Sequence, residues 1–206
     1  MEKIACITAI CLMVLSAFAF CTPHVLGEKP SVSAIVDIGP ECINLNTTGK
    51  WISVYIELPE DYNVSYIKVS TILLNDTIPA ELQLTAIGDY DNDTSPDLMV
   101  TFNRTQIVEY ILSKGIIQGN VSLTLTGESK TAFFNGSDTI RVSNMVGDID
   151  CDGDVDLNDA VVMLTSYGCR EGEPTWNANA DVAPPYGIIN IYDFVTFVYH
   201  YGEKYP

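Results

Sequence analysis

The stretch Asp148-Ile149-Asp150-Cys151-Asp152-Gly153-Asp154-Val155-Asp156-Leu157-Asn158-Asp159 sets carboxylates at positions one, three, five, nine and twelve, with a glycine at six. That spacing lets one short loop wrap a calcium ion in oxygen. The side chains at one, three and five converge where the chain turns tightly, and Gly153 permits the turn. Asp154, at seven, is placed to lend its backbone carbonyl, and Val155 to point inward. Six aspartates in twelve residues repel one another without a cation, so the loop is expected to order around Ca2+.

Downstream the period becomes helical. Ala160, Val161, Leu164 and Tyr167 form one apolar face, and Gly168 ends the helix. Cys169 to Ala180 is a connector rich in Gly, Pro and Asn. A second cycle then runs from Asp181 through Gly187, Ile189 and Asn190 to Asp193, with Phe194, Phe197, Val198 and Tyr201 on its helix and Gly202 at its end. Loop plus helix is thus duplicated. Val155 and Ile189, which follow the glycine of each loop, are expected to pair as a short β-bridge. Most of Tyr167, Phe197, Tyr199 and Tyr201 are expected in the core rather than on a partner surface. The second loop carries Ala183-Pro184-Pro185-Tyr186 where the first has three residues, and keeps Asp181, Asn190 and Asp193 as a second candidate metal site. Rigid Pro184-Pro185 can hold that turn with or without metal.

Two such units, with aspartate rather than glutamate at position twelve, resemble a type I dockerin domain from Gly147 to Pro206. The resemblance implies calcium ligands at Asp148, Asp150, Asp152, Asp156 and Asp159, with Asp154 giving its carbonyl. It also implies a cohesin-type protein partner, met at positions ten and eleven of each segment: Leu157-Asn158 and Ile191-Tyr192. These pairs differ between repeats, which departs from the family's symmetrical, either-way-round docking. A sandwich carried with a degenerate dockerin is also similar to exported surface proteins of archaea.

Upstream, between residues 29 and 144, the period is mostly two. Val32, Ala34, Val36 and Ile38 alternate with polar neighbours; so do Ile52, Val54, Ile56 and Leu58, with Trp51, Ser53, Tyr55 and Glu57 on the other face. Val121, Leu123 and Leu125 repeat the pattern, and Ile140 and Val142 close it. Short alternating strands with Gly, Asn and Pro turns predict an antiparallel β-sandwich. One stretch, Thr105 to Lys114, has helical spacing, with Thr105 as its N-cap and Gly115 past its end. Between strand-like Leu82–Ile87 and Leu98–Phe102, the carboxylates of Asp89, Asp91, Asp93 and Asp97 repeat the one-three-five spacing and add a fourth acid. This is a third candidate calcium loop or a solvated hairpin tip, since no glycine stands at position six.

The expected fold is therefore mainly β: a leader over residues 1–27, a β-sandwich over 28–145 and a small α-helical, calcium-binding pair of loop-helix units over 146–206. Lys3 precedes an apolar run from Ile4 to Phe20, read as a signal peptide cleaved between Ala19 and Gly27, with an uncleaved membrane anchor as the alternative. Seven Asn-x-Ser/Thr sequons, at Asn46, Asn63, Asn75, Asn92, Asn103, Asn120 and Asn135, all precede residue 146 and fit a glycosylated, extracellular or cell-surface protein. Of six cysteines, Cys42, Cys151 and Cys169 lie beyond the leader. The helix after the loop would carry Cys169 roughly 15 Å from Cys151, beyond disulfide reach, so the pairing stays open.

A net charge of −17 excludes nucleic acid as a partner, because phosphate binding needs clustered Lys and Arg. Catalysis is not expected. Glu57, Glu60 and Glu109 are the acids a glycoside hydrolase would need in facing pairs, but no motif selects among them, and His24 and His200 are the chain's two histidines. The expected function is calcium-dependent docking of a non-catalytic sandwich. The alternatives are a polysaccharide-degrading enzyme, or a carbohydrate-binding or surface-layer component in which Trp51 and Tyr55 stack on sugars.

Overall fold

A computed structural model describes residues 28–206 apart from Pro174. The leader expected over residues 1–27, with Cys6, Cys11, Cys21 and His24, lies outside the described residues. The fold is mainly β, with two sheets and few helices. The first sheet contains β1 (Ser31–Ser33), β3 (Cys42–Asn44), β5 (Leu73–Leu74), β6 (Ile78–Pro79), β9 (Gly119–Glu128) and β10 (Phe133–Ser143). β10 pairs antiparallel with β9 and parallel with both β1 and β3. The second sheet has the order β2 (Ile35–Gly39), β4 (Trp51–Glu57), β8 (Asp97–Asn103), β7 (Glu81–Gly88), all antiparallel.

The period-two residues meet in one core. Ile52, Val54 and Ile56 of β4 are buried, as are Val121, Leu123 and Leu125 of β9 and Ile140 and Val142 of β10. Trp51, Ser53, Tyr55 and Glu57 lie on the other face of β4 and are half-buried. The alternation from Val32 to Ile38, read as one strand, is divided between the sheets. The chain leaves β1 at Ala34, whose N–H still bonds Asn135 O at 2.7 Å, and enters the second sheet as β2. Gly136 makes this crossing possible: a Cβ there would stand 2.5 Å from Ala34 O and from Val36.

Helix α1 (Arg104–Ser113) follows β8 directly. Its N-cap is Asn103, whose side chain accepts from Gln106 N–H, in place of the expected Thr105. Asparagine on the last strand residue reaches the orphan donors of the first turn, so the helix starts two residues sooner. Ile107 and Ile111 drive this helix into the core. Among the described residues, no helix is long and apolar enough to cross a membrane.

The C-terminal units carry α2 (Leu157–Thr165) and α3 (Ile191–His200) around a second, smaller core of Ile149, Val155, Met163, Ala180, Ile189 and Phe197. Val155 and Ile189 are both buried there, but they do not pair with each other. Val155 exchanges hydrogen bonds with Gly202 and Glu203, after α3, while Ile189 exchanges them with Gly168 and Cys169, after α2. Each loop is thus clasped by the chain that leaves the other unit's helix. Gly168 and Gly202 both take positive φ, +85° and +90°, as they release that chain. Of the four aromatic residues expected mostly in the core, Phe197 alone is buried; Tyr167, Tyr199 and Tyr201 are exposed. Each helix has one buried row, and Met163 and Phe197 fill it.

The two cores are joined by a covalent and polar seam. Cys42 in β3 is bridged to Cys151 in the acidic loop, the pairing that sequence left open. Among the described residues, Cys169 is not bridged. Buried Asn44 donates to Met145 O and Asp148 O, at 2.6 and 2.8 Å, and buried Asn179 donates to Cys42 O and Ile149 O. Arg104 lies beneath, donating to Thr47 O at 2.7 Å and to Asn44 O. Burial pulls its pKa down to about 10.

Candidate metal centres

In the first loop the chain folds as its aspartates dictate. Asp152 N–H bonds Asp148 Oδ1 and Asp150 Oδ1, both at 3.1 Å, and Asp154 N–H bonds Asp152 Oδ1 at 3.1 Å. Positions four and six, Cys151 and Gly153, have φ of +54° and +97°. Asp159, the first acid of α2, turns back: its Oδ1 accepts from Ile149 and Asp150 N–H and its Oδ2 from Asp156 N–H. With Asp156 capping Asn158 N–H, this forms a capping box. The fold thereby brings Asp148, Asp150 and Asp159 together, with one oxygen of each within 4.8 Å of the others. Asp152 and Asp156 are engaged with backbone donors outside that trio. The Asp154 carboxylate pairs with Lys204 at 2.6 Å.

Asp148 and Asp159 are fully buried. Burial first, and the neighbouring acids after it, push the carboxyls of Asp148, Asp150 and Asp159 above the usual aspartate value. The donor set is all oxygen and acidic, which suits a hard cation such as calcium over a soft metal. In calcium-depleted buffer these groups hold protons more tightly folded than unfolded. Their stabilising contribution is therefore complete below the ordinary aspartate pKa of about 4 and is lost as pH rises through the raised values. The thermal midpoint without calcium is expected to climb on acidification from neutrality toward that range. A calcium ion bound at the trio would favour the carboxylates, so with saturating calcium the midpoint should fall on acidification. A pH series of unfolding curves in both buffers checks the reversal.

The hairpin loop between β7 and β8 repeats this geometry. Asp93 N–H bonds Asp89 Oδ1 and Asp91 Oδ1, both at 3.1 Å, and Ser95 N–H bonds Asp93 Oδ1 at 2.7 Å. Asn92 and Thr94 take φ of +63° and +81°, so a threonine adopts the conformation that Gly153 supplies in the first loop. Asp89, Asp91 and Asp97 converge, and so do Glu57, Asp91 and Asp93. Glu57 reaches the loop from the end of β4. Its place on the outward row with Trp51 and Tyr55 was readable in sequence, but not its proximity to Asp91 and Asp93 of a distant acidic loop. Burial and then Asp93 raise the Glu57 pKa.

The second unit keeps the scaffold of the first and, of its acids, only Asp181 and Asp193. Asp193 Oδ1 accepts from Ala183 N–H and its Oδ2 from Asn190 N–H, as Asp159 does in its own loop. Asn190 caps α3. Asp181 accepts from Gly187 N–H through Oδ2, while its buried Oδ1 has no donor among the described residues. Burial raises its pKa. Among the described residues, no third carboxylate joins Asp181 and Asp193.

The expected partner-binding residues stand at the surface. Leu157 is 66% exposed, Ile191 53% and Tyr192 61%, and Asn158 is exposed beside Leu157. Of the sequons, Asn46, Asn63, Asn92, Asn120 and Asn135 are exposed. Asn103 is half-buried and caps α1, and Asn75 keeps its amide nitrogen buried without an acceptor among the described residues. Comparison of the chain with protein-family models, with curated proteins and with solved structures finds no match.

Proposed function

We propose that this is an exported protein whose C-terminal, dockerin-like pair of loop-helix units binds calcium and docks a non-catalytic β-sandwich to a cohesin-type protein. The observation that carries the reading is the convergence of Asp148, Asp150 and Asp159 under the start of α2. An ion held there joins the entry of the loop to the first turn of the helix and so fixes α2. The hairpin cluster of Asp89, Asp91, Asp93, Asp97 and Glu57 is the second calcium site on this reading. Asp181 with Asn190 and Asp193 is a weaker third, since Asp193 and Asn190 already serve the backbone.

The docking surface is the outward face of α2 and α3. Leu157, Val161 and Leu164 on one helix and Ile191, Val195 and Val198 on the other are all exposed. So large an apolar face on a small module is the kind of patch that marks a protein partner. Leu157→Asp with Ile191→Asp is expected to weaken binding to an immobilised cohesin module by roughly a hundredfold, about 2.7 kcal/mol. Calcium uptake by the full chain, followed by calorimetry, should be unchanged in this variant. Cohesin binding that is equal in calcium and in chelator, or equal in the variant, would overturn the docking reading.

A further inference from the structure

A groove of ≈ 640 Å³ lies where the second sheet meets the C-terminal units. Its floor is the outward row of β4, with Trp51, Ser53 and Tyr55, beside Thr101 of β8; its far wall is the connector, with Glu171 and Trp176. Lys50 Nζ sits over one face of the Trp51 ring, 4.9 Å from its centroid. The volume is in the range of small-molecule sites, and seams between units are where such sites gather.

We propose that this groove binds a neutral oligosaccharide. A sugar ring offers an apolar C–H face and a rim of hydroxyls. The floor offers aromatic surface to the first, and Ser53 and the acceptor-only carboxylate of Glu171 offer hydrogen bonds to the second. A peptide is a poor match. Strand addition needs the open edge of a sheet, whereas the groove overlies β4 and β8, each hydrogen-bonded on both sides. An anionic polymer is a poor match too. Beyond Tyr55 the same sheet face continues into a smaller cleft lined by Asp37, Glu57, Asp91 and Asp97, whose field repels negative charge.

The chain holds two tryptophans. Both Trp51 and Trp176 line the groove, so intrinsic fluorescence of the full chain reports on it directly. Soluble gluco-, manno- and xylo-oligosaccharides are titrated in turn, with polygalacturonate as the anionic control. At least one neutral oligosaccharide should give a saturable emission shift, and polygalacturonate none. Trp51→Ala, followed through Trp176, should lose affinity by roughly tenfold or more, and Trp51→Phe should retain most of it. Ser53→Trp, which fills the floor from an outward position, should abolish binding even if Trp51→Ala does not fold. No shift with any neutral sugar at millimolar concentration, a preference for polygalacturonate, or unchanged affinity in Ser53→Trp would overturn the proposal.

Discussion

Replacing Cys42 and Cys151 together by serine should lower the unfolding free energy of the full chain by on the order of 4–5 kcal/mol, since the bond closes a very long loop. The bridged residues are 109 apart in sequence, so the unfolded chain gains much freedom when the bond is removed. The loss should exceed that of an ordinary surface bridge for a second reason. Cys151 stands at position four of the acidic loop with φ of +54°, and the bond holds it against β3. On the proposed function, calcium would then have to order the loop as it binds, and that ordering would be subtracted from its affinity. Urea unfolding should show a lower midpoint in the double variant, with and without calcium. Calorimetry should show weaker calcium uptake at the first loop. Equal midpoints and equal affinity would mean that the polar seam of Asn44, Asn179 and Arg104 holds the loop by itself.

That seam separates what the sequence disclosed from what it hid. Loop chemistry is local: aspartates at fixed spacing, caps and turn glycines act within a dozen residues, so the first acidic loop and both helix starts and stops were legible. Strand alternation is local as well, and it marked the buried rows of β4 and β9. Pairing between distant segments is not local. The partner of Cys151 lies in β3, because β3 and the acidic loop both adjoin the end of β10. The clasp of Val155 by Gly202 and Glu203 depends on how the two units cross. The exposed aromatics mislead for a related reason, since helical period shows that residues share a face but not whether anything covers it. The missing glycine of the hairpin counted against a calcium loop in sequence, yet Thr94 takes the same left-handed backbone. The strand break at Ala34 needed the bare Cα of Gly136, a hundred residues away.

The duplicated units supply an internal control on the role of the metal, and it leads to the second large effect. Asp159 and Asp193 occupy equivalent places at the third residue of α2 and α3, and each accepts backbone N–H groups from its own loop. Asp159 also stands with Asp148 and Asp150, whereas Asp193 has no such trio around it. Asp159→Ala therefore removes an acceptor of three N–H groups and, on the proposed function, an oxygen of the calcium site. Stability without calcium should fall by about 3 kcal/mol or more, because buried donors lose a charged partner. The further stabilisation by calcium, about 2.7 kcal/mol at a hundred times the dissociation constant, should vanish from this loop. Asp193→Ala removes acceptors of two N–H groups and should cost about 2–3 kcal/mol on the same grounds. Its response to calcium at the first loop should survive, because α2 and the trio beneath it are untouched. Unfolding of both variants, with calcium and with chelator, gives four midpoints. If Asp159→Ala keeps the full calcium shift, the trio is not a metal centre and Asp159 is only a cap. If Asp193→Ala loses that shift as well, the two units act as one, and the second loop shares in holding the ion.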